Sequence, residues 1–170
     1  MTLRPERSVL VVDDDESIRE SLRRLLSSDG YQITTAESGE EGLVALREKP
    51  GIQLVISDHN MPGMSGIEFL KLVRSRHPGV MRVMLTADPD PETVVRSINE
   101  GEVYRFIRKP WDNASLREMV YFAFDTILLE EEKRRLLEVV RRQRDALRQL
   151  DLSADPEAEM LLAEADLLKD

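Results

Sequence analysis

Asp13, Asp14 and Asp15 stand in a row directly after the apolar run SVLVV, and Asp58 closes a second apolar run, IQLVIS. Carboxylates gathered at the rim of a low-dielectric interior repel one another. A hard divalent cation removes that cost. Magnesium takes carboxylate oxygens, keeps several waters and leaves room for a phosphoryl oxygen. In such a site Asp58 is a candidate nucleophile, whose attack on phosphorus gives an aspartyl phosphate. The charge that develops on the phosphoryl oxygens calls for partners. Lys109, in "FIRKP", offers a point charge, Thr86, in "VMLTA", a hydroxyl donor, and Asn60 a backbone carbonyl for the cation. One at a time these residues mean little. An Asp at a strand end is usually a turn residue, a Lys before Pro a surface lysine, and a Thr closing a strand only β propensity. The elements that carry them must bring them together.

The spacing predicts those elements. SVLVV, residues 8–12, is short and β-branched and reads as a buried strand. Residues 16–30 place Ile18, Leu22, Leu25 and Leu26 at helical spacing and stop at Gly30. A strand over 31–37 follows. A helix then starts after the cap residue Ser38 and ends at Pro50-Gly51. IQLVISD is the third strand, NMPGMSG a turn, and residues 67–79 a helix with His77 at its end. Residues 80–87 form the fourth strand. The next helix begins with Asp90 as cap and Pro91 in its first position, over 88–101. Residues 103–110 are the fifth strand, and a last helix runs from Asn113 or Ser115 to about Leu150. Five strand–helix alternations spell a parallel sheet covered on both faces. Ligands of such sheets bind beyond the carboxyl ends of the strands. Those ends carry Asp13, Asp14 and Asp15, then Asp58, then Thr86 and Ala87, then Lys109 and Pro110. Acids, a hydroxyl and an ammonium converge on one edge.

Composition excludes other classes. In 170 residues the net charge is −9, which argues against nonspecific binding to DNA or an anionic membrane. With no cysteine and only His59 and His77, zinc-thiolate sites, disulfides, thiol catalysis and His-rich metal clusters are out. MTLRPERSVL contains no apolar signal-peptide core and no stretch approaches a membrane span, so a cytoplasmic protein is expected.

With "VLVVDDD", "LVISDHNMPGMSG", "VMLTA" and "FIRKPW" in that order, the chain resembles the response-regulator receiver domains of two-component signal transduction, over roughly residues 8–128. The resemblance implies a flavodoxin-like, doubly wound five-stranded parallel sheet of order 2-1-3-4-5. It implies that Asp58 is the phosphoacceptor, charged by a histidine kinase or phosphotransfer protein. It further implies that Asp14 and Asp58 are direct ligands of magnesium, for which manganese can substitute. Asn60 would add its main-chain carbonyl and Asp13 would contribute through water. Lys109 would pair with the phosphoryl group and Thr86 would bond it after modification. Phe106 stands where this family commonly has Tyr, and would turn inward as Thr86 moves. Such a domain catalyses only its own phosphorylation and dephosphorylation. Asn60 and Asp88 flank the route of a hydrolytic water, with Ala87 leaving space beside the phosphoryl group. Asp15 carries no family role and suits the N-terminus of the following helix. His59 reads as surface packing near the rim.

The last helix outruns the receiver. Leu129, Leu136, Val140, Leu147 and Leu150 follow a 4-3 spacing, with Lys133 and Gln143 in the missing seam positions. We expect a receiver over 1–128, a coiled-coil extension over 129–150 that makes a homodimer, and an acidic tail over 151–170 with one short helix. Residues 130–150 mix seven Lys or Arg with five Asp or Glu, which is not a DNA-binding basic region. The rival reading is a receiver-like interaction module in which phosphorylation is not used. A true phosphohydrolase needs a second acid two residues after its nucleophile, where this chain has Asn60. A flavin or nucleotide binder needs a Gly-rich loop after the first strand, which is missing.

Overall fold

A computed structural model describes residues 7–87 and 103–149 and, between them, residues 90, 92, 94, 95 and 99. The chain divides into two units, 1–124 and 125–170. In the first, five strands, β1 (Ser8–Val12), β2 (Gln32–Ala36), β3 (Leu54–Asp58), β4 (Met81–Thr86) and β5 (Arg105–Arg108), form one parallel sheet of order 2-1-3-4-5. Among the described residues, α1 (Glu16–Ser27), α2 (Gly39–Glu48) and α3 (Gly66–Arg76) lie within this unit, α4 (Asn113–Gln149) starts in it, and residues 92, 94, 95 and 99 are helical. The helix expected over 88–101 falls mostly outside the described residues. Within it, the Val94 N–H donates to the Asp90 carbonyl at 3.0 Å.

The sheet is flanked on both faces, as its apolar strands require. Val9 to Val12, Leu54 to Ile56 and Val83 to Leu85 are fully buried. Alternate residues point to opposite faces. Leu10, Val12, Val55 and Met84 share a cluster with Leu46 of α2 and Phe69, Leu70 and Val73 of α3. On α1, Leu22 and Leu26 make the buried stripe. Leu116, Val120 and Phe124 do the same for the first turns of α4. There the Phe124 ring stacks on Tyr31 at 5.1 Å, and Arg117 pairs with Asp29 at 2.9 Å.

Local chemistry sets each helix start. Asp15 caps α1 by accepting from the Ser17 N–H at 2.8 Å, which gives the third Asp of the row a structural task. Ser38 caps α2, as its place in the sequence predicts. Ser65 and Glu68 form a reciprocal capping box on α3. Asp112 accepts from the Ser115 N–H at 2.8 Å at the start of α4. His77 closes α3. Gly30, with φ +87, turns the chain out of α1, a conformation that an L side chain rarely adopts.

Register is what positions the site. Val12 lies opposite Ser57, Asp58 opposite Leu85, and Thr86 opposite Arg108. Asp13, Asp58, Thr86 and Lys109 therefore leave the sheet at one edge, at nearly one level.

Candidate acidic phosphoryl site

Asp13 directly follows β1 and Asp58 is the last residue of β3, on neighbouring strands. Lys109 follows β5, two strands from β3 at about 4.8 Å per step, so only a long side chain covers the gap. It does so: the ammonium lies 2.7 Å from Asp58 Oδ1 and 2.8 Å from Asp13 Oδ2. Asp13 Oδ1 accepts from the Asp15 N–H at 2.9 Å, and Asp58 Oδ2 from the Asn60 N–H at 3.0 Å. The Arg19 guanidinium donates to the Asp13 carbonyl at 2.6 Å and ties α1 to the same turn. Asp13 is 1% exposed and the Lys109 side chain 20%, whereas Asp14 stands open to solvent at the mouth.

Electrostatics follow from this packing. Burial pushes the Asp13 carboxyl above its ordinary value, and the like charge of Asp58 adds to it. The Lys109 ammonium and the Asp15 N–H pull the other way without cancelling the effect. For Lys109, burial disfavours the ammonium, but its bonds to Asp13 and Asp58 together outweigh that, and its pKa rises. The lysine is therefore a fixed positive charge between two acids.

Donor oxygens of Asp13, Asp14 and Asp58 lie within 4.8 Å of one another. Three carboxylates against one ammonium leave a formal charge of −2. The donors are all oxygen, and one acid faces solvent with neither carboxylate oxygen held by a described residue. This set fits a hard dication that keeps part of its water, and it does not fit a thiolate-seeking metal.

The sequence-predicted residues come together with some differences in detail. Asp13, Asp14, Asp58 and Lys109 form one cluster. The direct bond from Lys109 to Asp13 was not foreseen. Thr86 is buried at the end of β4, and its carbonyl accepts from the Lys109 N–H at 2.8 Å. Asn60 is exposed beside the pocket. Phe106 lies opposite Met84 and packs, partly buried, on the sheet core. Asp88 lies outside the described residues. Two further residues escaped the sequence reading. His59, taken there for surface packing, puts Nδ1 3.5 Å from the Thr86 hydroxyl. Gly66 lies against the backbone of Asp58: a Cβ built there would stand 2.0 Å from the Asp58 carbonyl oxygen. A signal for it existed, because glycine is a poor choice just inside a capped helix.

An acidic pocket with a bridging lysine, set at the carboxyl edge of a doubly wound sheet of order 2-1-3-4-5, defines an α/β domain of flavodoxin-like class that is equipped for a dication and an oxyanion. Comparison with known proteins narrows this. The response regulator receiver domain model matches residues 9–121. The hydrogenase transcriptional regulatory protein HoxA of Cupriavidus necator is 33% identical over 144 residues, which are 85% of this chain and 30% of HoxA. The DNA-binding transcriptional regulator NtrC of Salmonella typhimurium is 40% identical over 104 residues, 61% of this chain and 22% of NtrC. The signal receiver domain of an HD domain-containing protein from Pseudomonas fluorescens Pf-5 superposes with a TM-score of 0.71 at 33% identity, covering 78% of this chain and 96% of that one. The chain belongs to the response regulator receiver domain family. It spans less than a third of the length of these two curated relatives. No described helix is long and apolar enough to cross a membrane.

Proposed function

We propose that this chain is a phosphoacceptor switch, with Asp58 taking a phosphoryl group from the phosphohistidine of a kinase or phosphotransfer protein in the cytoplasm. The observation that carries this is the Lys109 ammonium 2.7 Å from Asp58 Oδ1, with Asp13 and Asp14 in the same pocket. An Asp58 oxygen attacks phosphorus. The O–P bond forms as the N–P bond of the donor breaks, and the imidazole leaves with the electron pair and takes up a proton. Lys109 holds a positive charge where the phosphoryl oxygens gather negative charge. Asp14, Asp58 and the Asn60 carbonyl would hold magnesium, with Asp13 acting through water; once bound, the ion supplies further positive charge to those oxygens. Hydrolysis of the acyl phosphate on the same residues resets the switch.

Incubating the chain with acetyl phosphate and magnesium is expected to add one phosphoryl mass, mapped to Asp58 by peptide mass spectrometry. Chelation should prevent the gain. An unchanged mass in magnesium would favour the interaction-module reading instead.

Modification adds about −1.5 to −2 charges to the pocket. The Thr86 hydroxyl and Lys109 turn toward it, Phe106 follows inward, and the population shifts to that state. The face that carries the change outward includes β5 and the start of α4. There Phe106, Arg108, Trp111, Met119 and Phe122 line a cleft of about 530 Å³.

The output element is a homodimer through α4. On that helix Leu129 is 66% exposed and Leu136, seven residues on, 56%. Such large apolar side chains at heptad spacing suit a second copy of the helix. Sedimentation of the full chain is expected to give a dimer. The double variant Leu129→Glu and Leu136→Glu is expected to give a folded monomer, since both residues are exposed. A variant that remains dimeric would move the interface elsewhere.

A further inference from the structure

Thr86 is buried, and a buried hydroxyl needs a partner. Among the described residues its one hydrogen-bonding partner is His59 Nδ1, at 3.5 Å. A bond of that length is weak and readily exchanged. The imidazole itself hangs from a fixed point. The His59 N–H donates to the Leu85 carbonyl at 2.9 Å, and its own carbonyl accepts from the Gly66 N–H at 2.9 Å. His59 thus adjoins Asp58 along the chain and Thr86 across the sheet edge. A threonine hydroxyl has a single proton to donate. In the tautomer that leaves Nδ1 unprotonated the hydroxyl donates to the ring, and it cannot give the same proton to a phosphoryl oxygen on Asp58 at once.

We infer that His59 is a positioning residue: it holds the Thr86 hydroxyl in the resting state and competes with the phosphoryl group for it. The inference rests on Asp58 as the phosphoacceptor and deepens that reading. It makes residue 59 a determinant of how far the equilibrium lies toward the engaged state, without contact with phosphorus. With His59 replaced by a side chain that accepts nothing, the Thr86 hydroxyl is left buried and unpaired until the phosphoryl group arrives. The engaged state then gains relative to the resting one.

Beryllofluoride with magnesium, a stable stand-in for the phosphoryl group, tests this on the full chain by titration. His59→Leu and His59→Met are expected to bind it about two-fold more tightly than the parent, the low end of what one hydrogen bond contributes. His59→Gln, which keeps an acceptor of similar reach, is expected to stay close to the parent. In a Thr86→Ala background the His59 substitutions are expected to change nothing, because the contested hydroxyl is gone. Equal changes in both backgrounds, unchanged affinity, or looser binding by the Leu and Met variants overturns the role of His59. A parent chain that binds no beryllofluoride and takes up no phosphoryl group overturns the phosphoacceptor reading along with it, whereas a failure confined to the His59 cycle overturns this inference alone.

Discussion

Lys109→Met is expected to lower the stability of the metal-free chain by about 3 kcal/mol, the low end for breaking a buried ion pair. The low end applies because a fifth of the lysine side chain still meets solvent. The substitution keeps most of the apolar stem and deletes the ammonium. Asp13 and Asp58 then face each other with no cation between them, and burial already disfavours the charge on Asp13. The formal charge of the cluster falls from −2 to −3, so a dication has more repulsion to relieve. Magnesium should therefore restore more stability to the variant than it adds to the parent. Asp58→Asn is expected to go the other way in chelator, gaining stability as one of the mutually repelling acids disappears. Urea unfolding in chelator and in magnesium reads all of these shifts. An equal loss in both conditions would mean that the stem's packing, not its charge, accounts for the change. Lys109→Met is also expected to take up phosphoryl groups about 10²-fold more slowly, the usual cost of removing one preorganised donor to a developing oxyanion. Stability and rate thus report one geometric fact, an ammonium within hydrogen-bonding distance of two carboxylates.

That fact was only half legible in the sequence. Strand and helix could be told apart because their periods differ. Val9 to Val12 are too few for a helix and wholly apolar, whereas Leu22 and Leu26 repeat at four. Once the alternation gives a parallel sheet, Asp13, Asp58, Thr86 and Lys109 must share its carboxyl edge, whatever the side chains do there. Side-chain direction is a different matter. That the ammonium spans two strands to reach Asp13 as well as Asp58 depends on rotamers and on sheet twist, which no local pattern encodes. His59 misleads for a related reason: with Asp58 opposite Leu85, the register sets residue 59 beside Thr86, and that register belongs to the assembled sheet rather than to any local pattern. Asp15 was easier to place, since an Asp directly before the first residue of a helix is a common cap. The extension lies between these cases. Its apolar spacing is readable and Leu129 and Leu136 are exposed, yet what meets them is not encoded in any local pattern.

Gly66→Ala is expected to destabilise the chain by about 3 kcal/mol, against what helix propensity predicts. Gly66 is the first residue of α3, directly after the Ser65 cap. In an open helix, alanine at such a site gains up to about 1 kcal/mol over glycine. Here the added Cβ would stand 2.0 Å from the Asp58 carbonyl oxygen and 2.9 Å from both the Asp58 carbonyl carbon and His59 Cα. All three are backbone atoms, so no side chain can swing aside. Either α3 slides outward or the turn after β3 is displaced. Sliding strips Phe69, Leu70 and Val73 from the core they share with Val55 and Met84. Displacing the turn moves the carboxylate of Asp58, disturbs its bonds to the Asn60 N–H and Lys109, and breaks the bond from the Gly66 N–H to the His59 carbonyl. The first path costs stability and the second costs the site, so slower phosphoryl uptake should accompany whatever stability survives. Gly79→Ala is the matched control, because a Cβ there meets nothing within 4 Å, and its effect should stay within about 0.5 kcal/mol. Urea unfolding and uptake of a phosphoryl group from acetyl phosphate, measured on both variants, separate the two paths. If Gly66→Ala proves as stable and as reactive as Gly79→Ala, α3 is free to shift, and close backbone contact is not what holds Asp58 in place.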